Sequence, residues 1–206
     1  MRLIPTSALS LTVPLLVSLS LTPAGQSQNI PTAADREKLV QLQGIDVKGT
    51  RLPAQSIIRL SGLKVGQQVN YTMVDEASRK ITSTGLVKMI DSSYDTYPGK
   101  PGIVLSLNVV DELPLFPVKI TPADDSERIW QCLQTADPIF MREMPRTEKA
   151  ISFYQANIER CLKNQGRSSE NASSLVSCDP EGNPAEVVFR IRPSRAAPLR
   201  TGPPQK

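Results

Sequence analysis

Histidine is absent from all 206 residues. Its absence excludes Ser-His-Asp and Cys-His catalysis and every metal site that needs an imidazole. The chain also lacks a C-x-x-C pair, a glycine-rich phosphate loop and a nucleophile elbow. Asp111-Glu112 and Asp124-Asp125 are the paired acids with local density. No acidic or polar pattern around them makes a recognised spacing, so both pairs are expected to serve turns. Nothing here supplies a catalytic residue, a metal ligand or a cofactor motif, and a non-enzymatic protein is expected.

Aromatic residues are scarce too, at 4%. A core must therefore be aliphatic and lie on sheet and helix faces. With 39% hydrophobic and 21% charged residues, the composition is that of ordinary globular material, and two thin-cored modules fit it better than one large one. The net charge of +4 is spread along the chain without a basic block or interleaved aromatics, which argues against nucleic acid as a partner. The basic bias is steepest at the end, in Arg190, Arg192, Arg195, Arg200 and Lys206. That end is either a solvated tail or a contact for an acidic partner or an anionic membrane surface.

Residues 1–26 have the layout of a secretory signal peptide: Arg2, an apolar run over Leu9-Leu21, then Pro23-Ala24-Gly25. Pro5, Pro14 and several Ser and Thr make the run a poor membrane span. Cleavage is expected after Ala24 or Gln26, and with no cysteine there the lipoprotein route is closed. Residues 27–43 read as a linker, with a short amphipathic piece at Ala33-Leu42. Residues 194–206 read as a disordered tail.

Between these ends lies a patterned stretch, residues 44–113. Ile45 and Val47 alternate with Asp46 and Lys48 in a short strand that turns at Gly49-Thr50. Pro53 suits the first position of a helix carrying Ile57, Ile58 and Leu60, bracketed by Gly62 and Gly66. Thr72 is a candidate N-cap for a second helix, with Asp75 and Glu76 in its first turn, Val74, Ala77 and Ile81 on one face, and Gly85 as its stop. Two strands close the unit, Leu86-Tyr94 and Ile103-Asp111, with a proline- and glycine-rich hairpin turn at residues 95–102.

The order and spacing of Val47-Lys48-Gly49-Thr50, the L-x-V-G-x-x-V run Leu63-Val69, the Thr84-Gly85-Leu86 exit and the strand ending Val109-Val110-Asp111-Glu112 resemble a POTRA domain. POTRA domains form the periplasmic part of Omp85/BamA-type outer-membrane assembly proteins. Residues 114–193 look like a degenerate second copy. Val118-Lys119-Ile120-Thr121 echoes the first strand, with Ile120 in place of the turn glycine. Ser126-Thr135 and Thr147-Asn164 supply two helices, the link between them broken by Pro138. Ser173-Cys178 and Val187-Ile191 supply the closing strands, at offsets that drift slowly from the first copy. The expected fold is thus α+β, two tandem POTRA-like β-α-α-β-β modules, each a small mixed sheet covered on one face by two helices. A helical appendage with one stray strand is the rival for the second copy.

Three cysteines in an exported chain allow one disulfide. Cys132 and Cys161, on neighbouring expected helices, are the favoured pair, followed by Cys161 with Cys178; three free thiols is the alternative. Asn70-Tyr71-Thr72 and Asn171-Ala172-Ser173 match the glycosylation sequon, as chance supplies at this length, and the bacterial source that the resemblance implies makes both irrelevant; Trp130, beside Ile129 and Leu133, reads as core rather than as a surface anchor.

The resemblance implies that the strand after the second helix lies at a sheet edge and pairs with client or partner strands. Here that strand contributes Val87, Lys88, Met89, Ile90, Asp91 and Ser92. The competing expectation is that Lys88, Asp91 and Ser92 discourage pairing, as charges on edges do. The resemblance further implies a periplasmic scaffold without a barrel, possessing no cofactor, and working with outer-membrane clients or assembly proteins. An inner-membrane-anchored scaffold of the division-protein type is the second reading.

Overall fold

The computed structural model describes residues 37–96, 99 and 101–193. The expected signal peptide, the linker before residue 37, the tail from residue 194 with Arg195, Arg200 and Lys206, and Tyr97, Pro98 and Lys100 of the hairpin turn lie outside the described residues.

The first repeat contains β1 (Val40–Lys48), α1 (Ala54–Ser61), β2 (Gln68–Val69), α2 (Tyr71–Ser83), β3 (Val87–Thr96) and β4 (Ile103–Asp111). The second contains β5 (Leu115–Thr121), α3 (Ala123–Ala136), β6 (Glu143–Pro145), α4 (Glu148–Asn164), β7 (Glu170–Cys178) and β8 (Pro184–Pro193). The strand orders are β2-β1-β4-β3 and β6-β5-β8-β7. In each sheet the first and last strands of the repeat run parallel and the last two form an antiparallel pair. The expected β-α-α-β-β order is present twice, with one very short extra strand between the helices of each copy.

Each sheet has one covered face. In β4, Leu105, Leu107 and Val109 are at most 1% exposed, and they meet Val74, Ala77 and Ile81 of α2 and Ile57 of α1 in the core. In β8, Val187, Phe189 and Ile191 play the same part against Ile129, Trp130 and Leu133 of α3 and Tyr154, Ile158 and Leu162 of α4. Burying each such side chain contributes about 1.5–3 kcal/mol. Most of the described aromatics lie in the second module, where Phe140 meets the ring of Tyr154 edge-on at 5.2 Å and Phe189 stacks on it at 6.2 Å. Trp130, 1% exposed, is core as expected.

Several local expectations are corrected. β1 begins at Val40, inside the stretch read as linker. Its register slips between Leu42 and Gly44, so the inward positions change phase and strict alternation cannot reveal the first half. Pro53 is the N-cap residue of α1 rather than its first helical one, and Gly62, at φ +72°, closes that helix. Asn70, not Thr72, caps α2, its side chain accepting a 2.9 Å bond from the Met73 N–H; this moves Asp75 and Glu76 beyond the first turn. Ile120 is a strand residue, 2% exposed and opposite Phe189, while the chain leaves β5 one residue later at Thr121-Pro122. Asp124 and Asp125 occupy the first turn of α3, where the helix dipole favours acids, and are not turn residues. Asp111 does serve a turn: its carboxylate accepts from Thr50 Oγ1 and from the Arg51 N–H at 3.0 Å, holding the exit from β1. Cys132 and Cys161 form the disulfide between α3 and α4, with Cα atoms 6.0 Å apart, and Cys178 is free and exposed.

The two repeats share one continuous core, joined where Leu52 and Leu86 face Ile139, Met141, Pro145 and Tyr154 around a space of only about 10 Å³. Polar bonds flank that seam. Asp137 accepts from Ser56 Oγ and, at 3.1 Å, from Arg59, and Thr147 Oγ1 donates to the Gly85 carbonyl at 3.2 Å.

Candidate functional site

β3 is the outermost strand of its sheet. Ten residues long, it pairs with β4 on one side, so every second residue turns its N–H and C=O away from the only neighbour. Its side chains divide by face. Ile90, Ser92 and Tyr94 stand opposite Val109, Leu107 and Leu105 on the helix side, half-buried. Met89, Asp91, Ser93 and Asp95 stand on the other face, exposed. Register slips between Val87 and Met89, which leaves Lys88 as a bulge and lets Val87 point into the core at 3% exposure. The six residues expected on this edge are therefore together on one strand with unlike roles: Val87 anchors it, Lys88 bends it, and Met89, Ile90, Asp91 and Ser92 form its accessible stretch.

Two clefts follow this edge. One, of about 410 Å³, lies between Asp75, Ser78 and Arg79 of α2 and Ile90-Ser92. The other, of about 680 Å³, continues past Ile90 along Val87-Met89 to Thr147, Glu148 and Lys149, where α4 of the second repeat begins. Their charges alternate in sign, with Arg79, Lys88 and Lys149 set among Asp75, Asp91, Glu112 and Glu148. Main-chain pairing rather than charge is what such a surface can offer.

The same arrangement recurs in the second repeat. β7 is the outermost strand there, and a cleft of about 520 Å³ separates Ser174 and Val176 from Ile151, Ser152 and Gln155 of α4. Both modules have the β-α-α-β-β order expected of POTRA-like units. No family description matches the chain, and no curated protein matches it. Solved structures similar to it include the N-terminal domain of Omp85 from the thermophilic cyanobacterium Thermosynechococcus elongatus, at 17% identity over 75% of this chain and 63% of that one, with a TM-score of 0.38. POTRA domains 1–2 of Omp85 from Anabaena are 14% identical, over 78% of this chain and 99% of that one, at a TM-score of 0.37. POTRA domains 3–5 of BamA from Haemophilus influenzae are 12% identical, over 76% and 68%, at 0.36. The chain spans less than two thirds of the cyanobacterial Omp85 domain.

Two parts of the site escaped sequence reasoning. The β7 strand, expected at Ser173-Cys178, begins three residues earlier at Glu170 and forms the outer edge of the second sheet, a role its Ser/Asn-rich sequence did not suggest. The contribution of α4 to the β3 cleft is long-range, with Thr147 meeting Gly85 across 62 positions of sequence. Elsewhere the charges are structural. Arg167 donates to Asp125 at 2.8 and 2.9 Å and to Glu170 at 2.6 and 2.8 Å, tying the starts of α3 and β7 to the end of α4. Hydrogen bonds from Arg167 hold the Glu170 carboxyl below its ordinary value. Among the described residues, no group of three or more Cys, Asp or Glu could hold a metal ion.

Proposed function

We propose that this is an exported, non-enzymatic binding or scaffold protein of outer-membrane protein assembly or secretion, located in the periplasm, which captures extended segments of clients or assembly proteins as added strands on β3. The observation that carries this reading is the ten-residue edge strand with one paired side and clefts running beside it. The outer-membrane context comes from the resemblance of residues 44–113 to POTRA domains. Strand addition draws affinity from main-chain hydrogen bonds, each worth about 0.5–1.5 kcal/mol net. After the cost of ordering the captured segment, affinities on the order of micromolar to millimolar follow, which suits clients that must be released. The bulge at Lys88 and the charge of Asp91 restrict indiscriminate pairing, so they narrow the usable edge to the stretch from Met89 onward.

Proline substitution tests this at two neighbouring positions, Asp91 and Ser92. Adjacent residues in a strand direct their N–H groups to opposite sides, so one proline removes a bond to β4 and the other removes an outward donor. The expected result, from pulldown against envelope extract with folding followed by circular dichroism, is that one variant is destabilised and the other stays folded and loses its captured outer-membrane proteins. Undiminished capture by the folded variant would reject strand addition at β3.

A further inference from the structure

At the end of the first sheet, where α2 begins, lies a pocket of about 210 Å³ that belongs to neither edge cleft. Its walls are mostly apolar: Val40, Val69 and Ile103 come from three different strands, and Asn70 and Thr96 are the uncharged polar residues beside them. Val69 is 1% exposed, so this wall is continuous with the core. The rings of Tyr71 and Tyr94 form one side, edge to face with centroids 5.0 Å apart. Burial pushes the Tyr94 hydroxyl up to about 12, so the ring stays neutral and presents an uncharged surface. Lys38 is the one charged group among the lining residues, and it stands exposed. Asp75 acts weakly on Tyr94 but does not line the space.

We propose that this pocket binds an aromatic ring carrying a carboxylate close by, either a free aromatic acid or an aromatic residue next to an acidic one in a polypeptide. Size favours a ring, because an apolar cavity of about 150 Å³ already suffices for benzene. Shape favours it as well, because a third ring can extend an edge-to-face pair, an arrangement aromatic groups prefer. The lone ammonium at the rim selects an anion and disfavours a second cation.

The test uses 3-phenylpropionate titrated into the purified full chain, with the methyl resonances of Val40, Val69 and Ile103 and the rings of Tyr71 and Tyr94 followed by NMR. Saturating shifts confined to these groups are expected, with a Kd on the order of 1 mM or tighter. Lys38→Gln is expected to weaken binding about two- to fivefold, as loss of an exposed ion pair does, and 3-phenylpropanamide is expected to bind the unaltered protein more weakly by the same factor. Thr96→Trp, made at an exposed position lining the pocket, is expected to abolish the shifts while circular dichroism remains unchanged. A capped peptide containing Phe-Asp forms the second arm: shifts from the peptide alone identify a polypeptide ligand, and shifts from both identify the shared group. Absence of saturable shifts with either probe, shifts that persist in Thr96→Trp, or equal binding of acid and amide would each overturn the proposal.

Discussion

Arg167 shows how much of the second module depends on one side chain. Its guanidinium bridges two carboxylates, and all three side chains are no more than 24% exposed. Glu170 ionises below its ordinary value of 4.5 mainly because it accepts hydrogen bonds from Arg167. A carboxyl depressed in the folded state stabilises the fold above its unfolded pKa, and the contribution is lost as pH falls through the folded value. The urea midpoint of the wild type is therefore expected to fall as pH drops below about 4.5, and that of Arg167→Met, already lower, to fall less. Parallel pH profiles would contradict this assignment. None of this was legible in the sequence, where Asp124-Asp125 looked like turn residues, because the partner that defines Asp125 is 42 positions away. Asn70 was missed for the opposite reason: Thr72 and Asn70 are both good N-caps, and only the backbone, extended at Asn70 with φ −128°, decides between them.

Elements with a clear period were read correctly. Ile103–Asp111 has the expected bounds, and α4 matches the helix expected over Thr147-Asn164 except that Thr147 is its N-cap, because repeating apolar positions bury against one core. Elements held by partners rather than by pattern were not: β2 and β6 are two and three residues long, and of β7 only Ser173-Cys178 was read, its first three residues being missed. The disulfide was readable because both cysteines fall on the apolar faces of adjacent helices. In the second core it spans 29 residues, and replacing Cys132 and Cys161 together by Ser is expected to cost about 3–4 kcal/mol in urea unfolding, from the entropy returned to the unfolded chain. A loss below about 1 kcal/mol would mean that packing of α3 on α4 alone suffices.

The two modules meet through a seam that leaves no room at Gly85. A side chain there would approach Thr147 Oγ1 at 2.6 Å and collide with the Ala150 N–H, and the backbone sits at φ +72°, where residues with a side chain are disfavoured. Gly85→Ala is expected to lower stability by more than about 2 kcal/mol and to raise the radius of gyration in small-angle scattering, as α4 is pushed from the end of α2. An unchanged scattering profile and midpoint would show that the seam yields. A glycine there looked like a helix stop in the sequence, and it is one; that it also seats the second module was hidden by the distance between the two.

The two edges of each sheet differ in length. One ends in a two- or three-residue strand, β2 or β6, and the other in a full strand, β3 or β7. Among the described residues each module thus has one full-length edge, so strand addition as proposed for β3, extended to β7, corresponds to a valence of two. At saturation, stoichiometry should therefore stop at two short strands per chain, and a single long segment with a bend in its middle should replace both, binding one to one.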